Sequence, residues 1–279
     1  MTLGEIWSYE FMRYAVLSAA ILGPLCALLG VFVTLRGMAF FSDALAHSAV
    51  SGIAIGFLVE ERFGLHLDPM LVVLAFSLLL AGTMVWLSRN GTLAPDTVIA
   101  FSFTGSVAFG VIVISMLGNY RLLDGILFGS IYANGPQDIV RQAGLALVAG
   151  GFLITQMRSY TLLTLNPEMA HVQLIRSALL HYAFALLIAA TVVICLKMLG
   201  ALLLSALIVV PAAAAKLVSG NFRTLLLVSL GIGLLAPLAG VWGSIRFNLP
   251  SGPAIVISNI AILLACYLLR PLLNRLAFR

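Results

Sequence analysis

From Tyr14 to Leu35 the chain carries no charged side chain, and an α-helix of that length, rising about 1.5 Å per residue, crosses roughly 30 Å of hydrocarbon. Comparable runs follow one another almost to the last residue. Separated by charges or turn residues, they predict helices at 12–35, 39–60, 69–88, 97–118, 138–157, 178–196, 200–219, 224–245 and 252–273. A share of 62% hydrophobic against 9% charged residues over 279 positions is more apolar surface than one soluble core of this size hides. The expected fold is all-α, a polytopic transmembrane bundle of about eight to nine helices forming one domain over 1–279. The first run exceeds a signal-peptide core and no small-residue cleavage site follows it, so it is expected to be retained. The seventh contains Pro211 and starts soon after the sixth, which predicts a broken or half-crossing helix surrounded by protein or a water-filled cavity.

The net charge of +5 does not point to nucleic acid, because the fifteen Lys and Arg are spread singly beside apolar runs, as anchors at a bilayer surface are. Placing 158–177 in the cytoplasm puts nine of them inside (Arg36, Arg89, Arg158, Arg176, Lys216, Arg223, Arg270, Arg275, Arg279) and six outside (Arg13, Arg62, Arg121, Arg141, Lys197, Arg246), in the direction of the positive-inside rule. Seven acids, among them Glu5, Glu60, Asp68, Asp124 and Asp138, fall on the outer side in the same arrangement. Cys26, Cys195 and Cys266 lie singly in apolar stretches with no Cys-x-x-Cys spacing, and are expected to be packing residues.

Asp43 and His47 stand near the start of the second apolar run. An acid facing hydrocarbon costs a few kcal/mol on insertion scales, so such a residue marks an ion or proton path or a buried polar contact. Four residues apart on a helix, the two side chains share one face, at about 0° and 40° on the helical wheel, with Gly52 and Gly56 near 180° and 220°. The glycine face suits close approach of a neighbouring helix. The opposite face is left to line a cavity. Three uses fit the pair: a polar contact that fixes packing, a proton relay, or a site for a divalent metal, since carboxylate oxygen and imidazole nitrogen both suit Zn²⁺, Mn²⁺ or Fe²⁺. One chain supplies two ligands; two copies meeting on an axis supply four and balance the charge of a dication. His66 and Asp68 lie in an outer loop, while His171 and His181 have no acid at helical spacing.

The segment Asn166-Pro-Glu-Met-Ala-His-Val-Gln-Leu-Ile175 predicts a short helix that does not span, with Asn166 capping it, Pro167 at its first position and Glu168 at the positive end of the dipole. It reads as an interfacial helix or as a docking helix for a cytoplasmic partner. The chain has no His-Glu-x-x-His pair, no Gly-x-Ser-x-Gly elbow and no Gly-x-x-x-x-Gly-Lys-[Ser/Thr] phosphate loop, so P-loop ATP hydrolysis must belong to a partner.

An arginine-containing turn followed by an Asp-x-x-x-His segment (Leu35-Arg36-Gly37 to Ser42-Asp43-Ala-Leu-Ala-His47), then Asp96-Thr97, Leu127-Phe-Gly-Ser-Ile131, Asn166-Pro-Glu-Met-Ala170 and Gly200-Ala-Leu-Leu-Leu-Ser to Ala215, occur in the order seen in the membrane permeases of metal-type ABC importers. The chain resembles that family, which takes up zinc, manganese and iron in bacteria, and is most similar to its zinc-uptake branch. The resemblance implies a multi-pass permease of the bacterial plasma (inner) membrane, surrounded by lipid, with no ATPase of its own. Its implied partners are a second copy of itself, a cytoplasmic ABC ATPase and an extracytoplasmic metal-binding protein. It implies no permanently bound cofactor, only a transported Zn²⁺, or Mn²⁺ or Fe²⁺, met by Asp43 and His47. ATPase docking falls on 158–177, through Pro167, Glu168, Met169 and Ala170. Two departures stand out: Ser42 replaces the usual Gly before the Asp, and Val172-Gln173-Leu174 lacks the Gly often found in the docking segment. The alternative is a gradient-coupled secondary metal carrier, in which Asp43 and His47 titrate. The inverted repeats frequent in such carriers are not evident in the sequence.

Overall fold

The computed structural model describes residues 9–64, 66, 68–118, 129–201 and 204–277. Leu127, Phe128, Leu202 and Leu203 of the signature stretches, the charged residues Glu5, Arg121, Asp124 and Arg279, and the side chains of Pro167 and Arg275 lie outside what is described. The helices are α1 (Glu10–Leu35), α2 (Ala39–Phe63), α3 (Pro69–Asn90), α4 (Pro95–Leu117), α5 (Pro136–Thr155), α6 (Met157–Leu165), α7 (Pro167–Val172), α8 (Ser177–Leu199), α9 (Leu204–Val218), α10 (Phe222–Phe247) and α11 (Ser251–Ala277), with a 3-10 turn at Ile131–Ala133. Among the described residues, eight helices are long and apolar enough to cross a bilayer: α1 to α5, α8, α10 and α11. The seventh predicted run folds as α9, 15 residues with Pro211 inside. At about 1.5 Å per residue that is roughly 23 Å, shorter than the hydrocarbon layer.

Helix starts follow the local chemistry. Asp68 Oδ1 accepts from the Met70 backbone N–H at 2.9 Å with Pro69 behind it, and Asn221 Oδ1 accepts from the Thr224 N–H at 2.8 Å. Each removes one of the free donors of a first turn.

The chain forms two compact units. One comprises 1–39, 130–155 and 205–279, the other 40–129 and 156–204. In the first unit α1 packs on α10 through glycines: a Cβ on Gly23 would overlap the carbonyl oxygen of Gly233, and Ser229 Oγ donates to the Ala27 carbonyl at 3.2 Å. Gly30 likewise admits the Ile208 carbonyl, and Gly240 lies against Ile255 of α11. In a bilayer, where lipid is as apolar as leucine, such backbone approach supplies the dispersion that holds helices together. At one end of this unit Tyr132 donates to Ser244 Oγ at 2.9 Å, Ser244 Oγ donates to the Leu249 carbonyl at 2.6 Å, and Asn134 Nδ2 donates to Ser18 Oγ at 2.9 Å. Burial pushes the Tyr132 phenol above its ordinary pKa, and its hydrogen bond with Ser244 opposes this only in part.

In the second unit α3 packs on α8, and the buried Tyr160 of α6 donates to the Leu180 carbonyl at 2.9 Å beside the Phe184 ring. Two signature glycines meet here. Gly129 at φ +52° faces the backbone of Gly200 at φ +76°, where a Cβ on Gly129 would overlap the Gly200 nitrogen. Both positions need glycine for conformation, and Gly129 needs it for space as well.

Candidate functional site

Asp43 and His47 lie in the first three turns of α2, and the second unit brings them together as their spacing predicts: His47 Nε2 is 3.8 Å from Asp43 Oδ1. This is too long for a hydrogen bond. Lone pairs on both groups stay available to a third atom. Two donors about 2.1 Å from a tetrahedral ion stand about 3.4 Å apart, against about 3.0 Å for neighbours in an octahedron. The observed separation is nearer the tetrahedral value.

The glycine face of α2 does what the wheel assigns to it. A Cβ on Gly52 would come within 2.8 Å of the Val73 Cα, and one on Gly56 would meet the Val72 side chain at 3.7 Å, so α3 covers that face. On the pair's side, Asp43 lines a cavity of about 280 Å³ together with Phe40, Asp96, Ile99 and Phe103. Asp96, in the first turn of α4, thereby joins the site as a second carboxylate. Only its place in a signature stretch marked it in the sequence. Phe103 gave no signal at all, because it is one aromatic among many in an apolar helix. Its ring stands edge-on to the His47 imidazole, with centroids 5.2 Å apart and planes at 87°.

His171 is exposed on α7, and the other three titratable candidates have local partners. His66 Nδ1 lies 2.8 Å from Glu60 Oε1 on an exposed loop, Asp68 caps α3, and His181 Nδ1 lies 2.7 Å from the Ser177 carbonyl oxygen. No group of three or more His, Cys, Asp or Glu that could hold a metal ion is found among the described residues.

The short helix falls where the caps predict. Asn166 Oδ1 accepts from the Met169 N–H at 3.1 Å, and Pro167 opens α7. The helix ends in a reversal in which the Ile175 N–H reaches the Ala170 carbonyl at 3.2 Å and the Leu174 N–H reaches the His171 carbonyl at 3.0 Å. This is a Schellman turn, whose left-handed position usually holds glycine. Leu174 occupies it at φ +54°, so the glycine missing from the docking segment is missing at the place where the backbone favours one. Glu168 and Met169 are exposed, as are Val172 and Leu174, whereas Ala170 is 2% exposed.

Residues 8–270 match the model of the ABC 3 transport family, and the chain belongs to that family. It is a multi-pass membrane subunit of a transport system. Among curated relatives, the manganese transport system membrane protein MntC of Halalkalibacterium halodurans is 28% identical over 91% of this chain and 85% of its own length. The high-affinity zinc uptake system membrane protein ZnuB of Haemophilus influenzae is 29% identical over 90% and 94%. A relative from the same bacterium described as a probable iron transport system membrane protein is 26% identical over 92% and 93%. Among solved structures, PsaBC from Streptococcus pneumoniae in complex with Fab superposes with a TM-score of 0.84 over 99% of both chains at 23% identity, which establishes the shared fold.

Proposed function

We propose that this chain is the permease of an ATP-driven importer for a divalent transition metal, Zn²⁺ first, which passes between two copies of the chain while held by Asp43 and His47. The observation that carries this reading is the pair itself: an oxygen and a nitrogen ligand 3.8 Å apart, not hydrogen-bonded to one another, with the carboxylate on the wall of a cavity. The donor set suits Zn²⁺, Mn²⁺ and Fe²⁺ alike, and the 3.8 Å separation, longer than either ideal value, lies nearer the tetrahedral one that zinc prefers. Relatives named for manganese, zinc and iron match almost equally well, so the choice of metal rests on this chemistry. Two ligands from each chain, completed by the other copy or by water, hold an ion loosely enough to release it.

In this reading the whole chain acts as one permease domain, with 158–177 on the cytoplasmic side. That orientation starts α2 and α4 at the inner face and puts Asp43 and His47 about 6 and 12 Å into α2. The segment from Pro167 to Ala170 docks a cytoplasmic ATPase, presenting Glu168 and Met169 outward. An extracytoplasmic binding protein delivers the ion on the far side. ATP binding draws the ATPases together and moves the docking helices, and hydrolysis resets them.

The test is ⁶⁵Zn²⁺ uptake into vesicles carrying the complete transporter with ATP inside. Asp43→Asn should abolish most of the uptake while the ATPase still co-purifies. Wild-type uptake in that variant would remove the pair from the mechanism, and uptake that proceeds without ATP would replace the importer with a gradient-coupled carrier.

A further inference from the structure

Inside the second unit, α2 and α4 share one continuous seam. Asp43 faces the cavity with Asp96 and Ile99; one turn on, His47 meets Phe103; a further turn on, Ser51 Oγ donates to the Ser106 carbonyl, and a Cβ on Gly110 would press on the Ser51 backbone. Positions 43, 47 and 51 step by four, and 99, 103, 106 and 110 step by three or four, so each helix contributes one stripe and both stripes run the same way. The backbone contact at Gly110 fixes the register. Phe103 is therefore held at the height of the imidazole.

We propose that Phe103 is a positioning residue that sets the affinity of His47 for the transported dication, and with it the preference among dications. This rests on the reading above that Asp43 and His47 hold the ion. Phenylalanine can neither ligate nor donate a hydrogen bond, so its action must pass through the ring it touches. An imidazole free to rotate about its Cα–Cβ and Cβ–Cγ bonds points its nitrogens toward Asp43 or away from it. The perpendicular contact with Phe103 favours the rotamer that makes it roughly 2- to 10-fold over rotamers that lose it, and so holds the plane in which the imidazole meets the ion. Phe103 also lines the cavity beside Asp43, and its bulk keeps competing water from the imidazole. A leucine there retains the apolar character but loses the perpendicular ring contact that holds the imidazole plane.

The experiment measures ⁶⁵Zn²⁺ and ⁵⁴Mn²⁺ uptake by the complete transporter in vesicles for wild type, Phe103→Leu, Phe103→Tyr, Asp43→Asn and His47→Ala. Phe103→Leu should raise the zinc KM about 3- to 10-fold with kcat within 2-fold of wild type, and should lower the zinc-to-manganese preference; Phe103→Tyr should restore both. If Asp43→Asn and His47→Ala lose uptake while Phe103→Leu keeps the wild-type KM and preference, the positioning role is refuted and the metal pathway stands. If Asp43→Asn and His47→Ala transport normally, the pathway itself fails and this inference with it. Should Phe103→Leu not reach the membrane, Phe103→Met is read by the same criteria, and an equal loss of kcat for both metals without a change in KM would reduce Phe103 to a packing residue.

Discussion

Exchanging Leu174 for glycine should strengthen the turn after α7 and weaken the complex with the ATPase. Leu174 sits at φ +54° in the left-handed position of a Schellman turn, with 87% of its surface exposed. A side chain in that conformation costs about 1–2 kcal/mol. Glycine relieves the cost, while its freer unfolded chain returns about 0.4–1 kcal/mol of it, leaving a local gain of roughly 1 kcal/mol. An exposed leucine held at that cost inside its own unit is explained if it is buried elsewhere. Full burial against the ATPase contributes about 1.5–3 kcal/mol, or roughly 10- to 150-fold in Kd. Leu174→Ala separates the two effects, since it keeps the strain and loses most of the contact. The assay is titration of the purified permease in detergent with the ATPase, alongside hydrogen exchange at Ile175, whose N–H closes the turn. Both variants should bind at least 10-fold more weakly, and only the glycine variant should protect that amide better than wild type. Unchanged affinity in both would mean that the ATPase does not cover Leu174 and that its backbone strain has another cause.

Further outcomes follow from the packing and from the raised phenol of Tyr132. Gly23→Ala forces a methyl into the Gly233 carbonyl and should lower the stability of the first unit by about 1–3 kcal/mol in thermal unfolding, whereas Gly231→Ala, with nothing within 4 Å, should be neutral or stabilising; equal effects would refute the close α1–α10 contact. Tyr132 has its pKa raised in the folded chain, so its contribution is complete below the unfolded value near 10 and is lost as pH rises through the folded value. Tyr132→Phe should remove a component of the tyrosinate absorbance that appears later than that of an exposed tyrosine in an alkaline titration, and should leave stability less sensitive to pH above about 10. Asp96→Asn should lower zinc uptake less than Asp43→Asn does, because Asp96 has no imidazole beside it; a larger loss would make Asp96 the principal ligand of that cavity.

What could be read from the sequence followed from local rules. Apolar runs gave the spanning helices to within a few residues, Asn166 and Pro167 marked the start of α7, and a spacing of four put Asp43 and His47 on the face opposite Gly52. These depend on neighbours within a turn or two. The rest depends on contacts between distant stretches: Phe103 reaches His47 from 56 positions away, and Gly129 meets Gly200 across 71. The burial of Ala170 was equally hidden, because α7 is too short for hydrophobic periodicity to distinguish its inward face from its outward one. The missing glycine at Leu174 was visible as a departure from the family pattern, but its meaning required the sign of φ.

The surroundings of the pair also bear on where selectivity can arise. Val73 presses on α2 at Gly52, and Ser106 and Gly110 press on it at Ser51, where the Ser51 hydroxyl bonds the Ser106 carbonyl, so the helix that carries Asp43 and His47 is gripped on two sides. Contacts this close leave α2 little room to shift without parting from its neighbours. On the proposed reading, the spacing of the two ligands within one copy is then nearly constant through the transport cycle. Whatever discrimination between zinc and manganese the permease itself adds then comes from side-chain rotation at His47, which Phe103 limits, or from how closely the second copy approaches. Measuring metal preference in Gly110→Ala distinguishes these: loosening the grip on α2 should erode zinc preference if the spacing within one copy decides it, and should leave the preference intact if the distance between copies does.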